Sequence, residues 1–256
     1  MSNSLTFLGT GTSQGIPVIA CNCETCTSDD SRDKRLRTSA HLNWEGLSIV
    51  IDSGPDFRYQ MLRAGITKLD ALLLTHQHND HIIGIDDIRP FNFRQGGEMP
   101  VFANKIVSEN LKERFAYVFE KNPYPGAPQI NLNTIETEDQ IQINGKVITP
   151  VELIHGITLS YGYIFRKLAY LTDMKSIPEK EYSKLQEIDT LIVNCLRIEP
   201  HFSHLNLEEA IDFINKIKPR RAFLTHISHR FGTHKEIEEM LPKGIHAAYD
   251  GLKIEF

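Results

Sequence analysis

The sequence predicts an α/β fold in which sheets are covered by helices, spread over one domain, 1–256. Three observations carry this expectation. Apolar, β-branched runs recur along the chain, and several stop abruptly at a polar cluster, as strands do at the rim of a sheet. Segments of helical periodicity are interspersed, the cleanest being NLEEAIDFINKI at 206–217. No repeat, low-complexity tract or linker-like shift divides the chain, and 41% hydrophobic with 24% charged residues is ordinary globular composition.

Taken in order, residues 5–9, 38–44 and 47–54 read as strands. A helix follows over 55–64, since Pro55 suits a first helical turn and Gly65 a stop. LDALLLTH at 69–76 is apolar between polar flanks, which fits a strand buried on both faces. Residues 104–115 have helical spacing, and 116–129, with KNPYPGAPQ, read as a loop. Strands follow at 130–136, 146–154, 159–166, 168–172, 190–195 and 221–226, with the 206–217 helix before the last.

Composition excludes some functions. A net charge of −5 argues against a dedicated nucleic-acid binder, because a phosphate backbone calls for a basic footprint. No apolar run approaches the ~20 residues of a membrane helix. MSNSLTFLGTG lacks the basic and apolar regions of a secretory signal, so a cytoplasmic protein with reduced cysteines is expected.

The chemistry is concentrated in LLLTHQHNDHIIG at 72–84. His76 and His78 lie two apart, so in an extended segment their rings share a side. Asp80 and His81 follow where a turn into a helix can redirect them to a neighbouring position. Imidazoles and carboxylates without thiolates suit Zn, Mn or Fe. Two coordination spheres need further donors, and His155, Asp173 and His226 each follow a strand-like run.

This ordered set, THQHNDH, then His155, LTD ending at Asp173 and LTH ending at His226, resembles the dinuclear hydrolases of the metallo-β-lactamase fold. The resemblance spans nearly the whole chain. It implies a four-layer αββα sandwich with two divalent metals, Zn or Mn, at the rim of the sheets. By motif, His76, His78 and His155 would hold one metal and Asp80, His81 and His226 the other, with Asp173 between them. The β-lactam-cleaving members commonly have cysteine at the position of Asp173, and the redox diiron members have glutamate at that of Gln77. Both departures count against those activities. Asp52, in VIDSG, is expected to fix a ligating histidine through a hydrogen bond, unless it merely starts a turn. Thr75, Thr172 and Thr225 precede ligands and either support them or simply suit strands.

CNCETC places Cys21, Cys23 and Cys26 at a spacing that suits a structural zinc lacking one donor, and His229 is a candidate for the fourth. Cys195 ends an apolar strand and reads as core. With FLGTGTSQGIP before these cysteines and LTHISH near the other end, the chain resembles the cyclic-phosphate phosphodiesterases of bacterial phosphonate degradation. That subfamily binds such a zinc with three cysteines and a histidine. The glycines of GTGTSQG are turn-formers, since no helical pattern follows them.

The implied reaction is hydrolysis of a small phosphodiester by a metal-bridging hydroxide. Its catalytic candidates are Asp80, through the metal it holds, and a general acid. For the latter the segment EPHFSHLNLEEA offers His204, with His201 as the second choice. Arg89, Phe91 and Arg94 follow the metal motif and either line the substrate mouth or form a solvated basic turn. A small phosphodiester partner is expected, with no membrane, with nucleic acid disfavoured and with a homodimer left open. The rivals are a thioester or lactone hydrolase of the same fold, a tRNA 3′-processing nuclease, and a metal-dependent sensor without turnover.

Overall fold

Two seven-stranded sheets lie face to face and helices cover the outer side of each, in a computed structural model that describes residues 3–256. The first half of the chain contributes β1 (Ser4–Gly9), α1 (Glu24–Thr27), β2 (Ser39–Trp44), β3 (Leu47–Ile51), α2 (Phe57–Arg63), β4 (Ala71–Leu73) and α3 (Asn79–Ile82). It continues through α4 (Arg89–Gln95), β5 (Met99–Ala103), α5 (Lys105–Arg114), α6 (Ala116–Phe119) and β6 (Ile130–Thr134). The second half adds β7 (Ile141–Ile143), β8 (Lys146–His155), β9 (Thr158–Phe165), β10 (Leu168–Leu171) and β11 (Thr190–Asn194). It ends with α7 (Leu207–Ile217), β12 (Arg221–Thr225), α8 (His234–Met240), β13 (Ile245–Ala247) and β14 (Lys253–Glu255).

The sheet orders are β14-β1-β2-β3-β4-β5-β6 and β13-β12-β11-β10-β9-β8-β7. Within the second sheet β10, β11 and β12 run parallel, and β8 shares their direction because β9 is antiparallel to both β8 and β10. In the first sheet β3, β4 and β5 are parallel. Carboxyl ends of parallel strands gather at one rim, where open α/β sheets bind ligands. One apolar cluster fills the space between the sheets, with Phe7, Leu42 and Ile51 facing Tyr163, Phe165 and Tyr170. A second lies under α7 and α8, and a third under α2, α4 and α5. The αββα layering implied by the resemblance is therefore present.

Helix ends follow their local chemistry. Asn206 caps α7 by accepting from the amide of Glu209, whose carboxylate accepts from the Asn206 amide. Gly65, at φ +63°, closes α2 as expected. Other expectations need correction. The strand expected over 69–76 is regular only over Ala71–Leu73. Beyond it the chain crosses to the other sheet, where Tyr163 Oη donates to the Leu74 carbonyl (2.6 Å) and the Tyr161 amide to that of Thr75 (2.8 Å). The loop expected over 116–129 begins with α6. Residues 87–94 belong to α4 and the turn before it, and Phe91 is buried edge-on to Phe57 in the core instead of lining a mouth.

Candidate metal centre

His76 follows β4, His155 ends β8, Asp173 follows β10 and His226 follows β12, so strand direction delivers all four to one rim. His78, Asp80 and His81 arrive on the turn into α3. Donor atoms within 4.8 Å of one another form four overlapping groups: His76, His78 and His155; Asp80, His81 and His226; His76, His81 and Asp173; and His155, Asp173 and His204. The first two are the trios expected from the sequence, and Asp173 reaches both. Donors lie 2.9 Å apart for His76 Nε2 and His78 Nδ1, 3.2 Å for His81 Nε2 and Asp80, and 3.1 Å for His226 Nε2 and Asp173. Two ligands at the roughly 2.0–2.1 Å of a metal–nitrogen bond stand about that far apart.

Hydrogen bonds set the tautomers. His81 Nδ1 donates to Asp52 Oδ2 at 2.7 Å. Thr75 Oγ1 donates to the same carboxylate at 2.9 Å, so it accepts from His76 Nδ1 at 3.0 Å. His155 Nδ1 donates to the Ser203 carbonyl at 2.9 Å. In the neutral ring each of these bonds leaves Nε2 as the unprotonated nitrogen, free to serve as a metal ligand. His81 Nε2, His204 Nδ1 and both nitrogens of His226 are buried without a hydrogen-bond partner among the described residues. Buried polar atoms are normally satisfied, so orphans gathered in one place fit a cation-binding role.

The electrostatics agree. Burial alone would push Asp173 and Asp80 up, but surrounding imidazoles, His226 and His81 among them, hold both carboxyls well below their usual range. Burial would push His81 down, yet Asp173, Asp80 and Asp52 hold it well above its usual value. Three carboxylates around one imidazole demand positive charge. A divalent cation supplies it, and the residues present fit one or more such ions.

The backbone is bent to make this site. Asp52, Asp173 and His226 all have left-handed φ, at +64°, +55° and +58°. Such conformations cost of order 1–3 kcal/mol each and collect at functional sites. Two glycines let the metal loop lie on the end of β3. A Cβ on Gly54 would stand 2.0 Å from the Asp80 carbonyl, and one on Gly84 would stand 2.0 Å from the Gly54 carbonyl.

His204 is buried in this cluster, with Nδ1 3.5 Å from Asp173 and its ring stacked on His226 at 4.6 Å. Burial, reinforced by His226, pushes its pKa below the usual imidazole value, and Asp173 opposes that shift. His201 lies farther out, its ring 5.2 Å from that of His204. Sequence reasoning missed what holds this segment. Lys175 Nζ donates to both oxygens of Glu209 (2.6 and 2.7 Å) and reaches the His204 carbonyl at 3.5 Å. The capping pattern N-x-x-E at 206–209 was the available signal. Arg89 is paired with Asp86 at 2.5 Å, and Arg94 is exposed near the end of α4. Neither forms a hydrogen bond or ion pair with the histidine cluster among the described residues.

Beside the cluster, Cys21, Cys23 and Cys26 converge on His229 Nδ1 at 3.3, 3.4 and 3.6 Å. Zinc bonds of roughly 2.3 Å to sulfur and 2.0–2.1 Å to nitrogen at tetrahedral angles place S and N about 3.6 Å apart. Burial would raise Cys23, but the Cys26 amide, His229 and Cys21 bring it down to about 6. Burial and the neighbouring cysteines push Cys26 up to about 11. Thiols that cannot all ionise side by side are relieved by a cation between them. Cys195 is buried in the core, as expected.

Comparison with known proteins gives four findings. Residues 48–227 match the family described as a beta-lactamase superfamily domain. A crystal structure described as a new diphosphatase from the PhnP family is 41% identical, covers 100% of this chain and 98% of its own, and superposes with a TM-score of 0.93. An octanoyltransferase of Porphyromonas gingivalis is 42% identical over 249 residues, 96% of this chain; the match spans 50% of that protein's length. Ribonuclease Z of Pyrobaculum islandicum is 25% identical over 242 residues, covering 78% of this chain and 83% of the ribonuclease.

Proposed function

The chain belongs to the metallo-β-lactamase superfamily, and from that premise we propose that it is a dinuclear phosphodiesterase acting on small cyclic phosphates or nucleotide-like diesters. As a member of this family it is a metal-dependent hydrolase; the substrate class and the pair of metals are the proposal. The carrying observation is the pair of trios, His76, His78 and His155 beside Asp80, His81 and His226, with Asp173 grouped with donors from each. A relative of 41% identity described as a diphosphatase and a ribonuclease Z relative support phosphoryl chemistry.

His76, His78 and His155 would hold one metal, Zn or Mn, and Asp80, His81 and His226 the other, with Asp173 contributing to both. Cations held there would supply an activated water near neutral pH and offset charge on the phosphoryl oxygens. The protein's own groups do the rest. Asp52 and Thr75 keep the imidazoles of His81 and His76 turned inward. His204, beside Asp173, donates a proton to the leaving oxygen, with His201 the alternative donor. Cys21, Cys23, Cys26 and His229 would hold a structural zinc, which would tie the N-terminal loop to the segment after β12. No helix among the described residues is long and apolar enough to cross a membrane.

One observation favours a second reading, hydrolysis of a thioester: the 42% identical relative is named an octanoyltransferase. Half of that protein lies outside the match, which leaves room for its named activity there. The metal-reconstituted protein tested against cyclic phosphates, open diesters, thioesters and lactones decides. The proposal requires kcat/KM on the phosphodiesters to exceed that on the carbonyl substrates, and the reverse order would refute it.

A further inference from the structure

A row of rings leads out of the metal cluster. His81 stacks on His226 (6.0 Å, 17°) and His226 on His204 (4.6 Å, 21°); His204 is followed by His201 (5.2 Å, 36°) and His201 by Phe202 (4.9 Å, 38°). The inner rings are buried, whereas Phe202 leaves 76% of its surface in solvent. Phe202 rests against Gly156 in the β8–β9 turn, where an added Cβ would stand 3.1 Å from its ring. The next residue, Ile157, is fully exposed. A single exposed apolar side chain is commonplace. Two on contacting segments, one continuing a row of rings from the reacting centre, call for an occupant.

We infer that Phe202, flanked by Ile157, is the platform on which the nucleobase of a nucleoside phosphodiester stacks while its phosphate lies at the metal cluster. This rests on the phosphodiesterase reading and narrows its substrate class. Phe202 is the second ring beyond His204, with centroid steps of 5.2 and 4.9 Å, which keeps its face within a nucleotide's length of His204. The flat face suits a base, which any aromatic ring stacks without reading its sequence. His201 adds a polar group beside the platform. Its Nδ1 accepts from the amide and hydroxyl of Ser203 (3.4 and 3.3 Å), so Nε2 carries the proton and can donate to a base edge.

The test compares three substrates of the metal-loaded enzyme: adenosine 2′,3′-cyclic phosphate, the same cyclic phosphate on methyl riboside, and that on cyclohexyl riboside. In the wild type, KM for the adenosine compound should be lower than for the methyl compound by roughly tenfold or more, the scale of one stacked base. Phe202→Ala should collapse that ratio towards one, and Phe202→Tyr should restore it. The platform is overturned if Phe202→Ala leaves the ratio unchanged. It is also overturned if the cyclohexyl compound benefits as much as adenosine, since the surface is then merely apolar. Failure of the wild type to hydrolyse any of the three, with turnover of thioesters, sinks the phosphodiesterase reading itself.

Discussion

Asp52 Oδ2 lies 2.7 Å from His81 Nδ1, both side chains wholly buried, and the same oxygen accepts from Thr75, which in turn holds His76. One carboxylate thus orients an imidazole in each half of the proposed centre. Asp52→Asn keeps a residue type tolerant of left-handed φ but weakens the acceptor for His81. Metal affinity should fall about 10- to 100-fold, read by competition with a chromogenic chelator, while circular dichroism stays native. Unchanged affinity would mean that Asp52 only starts a turn.

Gly54 is the narrowest point between β3 and the metal loop. In Gly54→Ala the new methyl meets the Asp80 carbonyl, so the loop must shift or the strand end must yield. Overpacking of this kind costs about 1–3 kcal/mol. Urea denaturation should show a lower midpoint with an unchanged slope; a wild-type midpoint would show that the loop moves freely.

The cysteine site should be separable from the histidine cluster. His229→Ala removes one of four converging donors. It should release about one zinc per chain and lower Tm by about 2–8 °C, the shift expected from a loss of 1–2 kcal/mol in a chain of this size. Metal bound by the histidine cluster should remain. Unchanged zinc content and melting contradict the assignment.

His204 is the part of the mechanism most open to refutation. Its loss should matter in proportion to how poor the leaving group is. His204→Ala should lower turnover of a ribosyl cyclic phosphate roughly 10²–10⁴-fold and that of a p-nitrophenyl diester far less, because the phenolate leaves unaided. Equal losses on both point to phosphate binding, and loss of a metal makes His204 a ligand, for which its place beside Asp173 and His155 is suited. Leaving-group dependence in His201→Ala alone transfers the role to His201.

The donors of the centre were legible because their chemistry is local. HQHNDH is a short segment, and His155, Asp173 and His226 each stand at the end of an apolar run that the sequence marks as a strand. The four layers followed from the resemblance more than from periodicity. Elements held by distant partners were not legible: β14, three residues long, exists because it pairs with β1, and β5 contains Pro100. The same holds around the site. Ser203 supports His155 with a backbone carbonyl, which any residue carries, and Lys175 meets Glu209 across 34 residues. Arg89 and Phe91 looked available for substrate because a sequence does not show that Asp86 and the core engage them.

The central claim, two metals in one site, is tested most directly by anomalous diffraction from crystals of the metal-loaded protein. The account predicts two peaks roughly 3.5–4 Å apart, one among His76, His78 and His155 and one among Asp80, His81 and His226, with Asp173 beside both. A third, separate peak belongs among Cys21, Cys23, Cys26 and His229. A single peak in the histidine cluster at saturating Zn and Mn would contradict it.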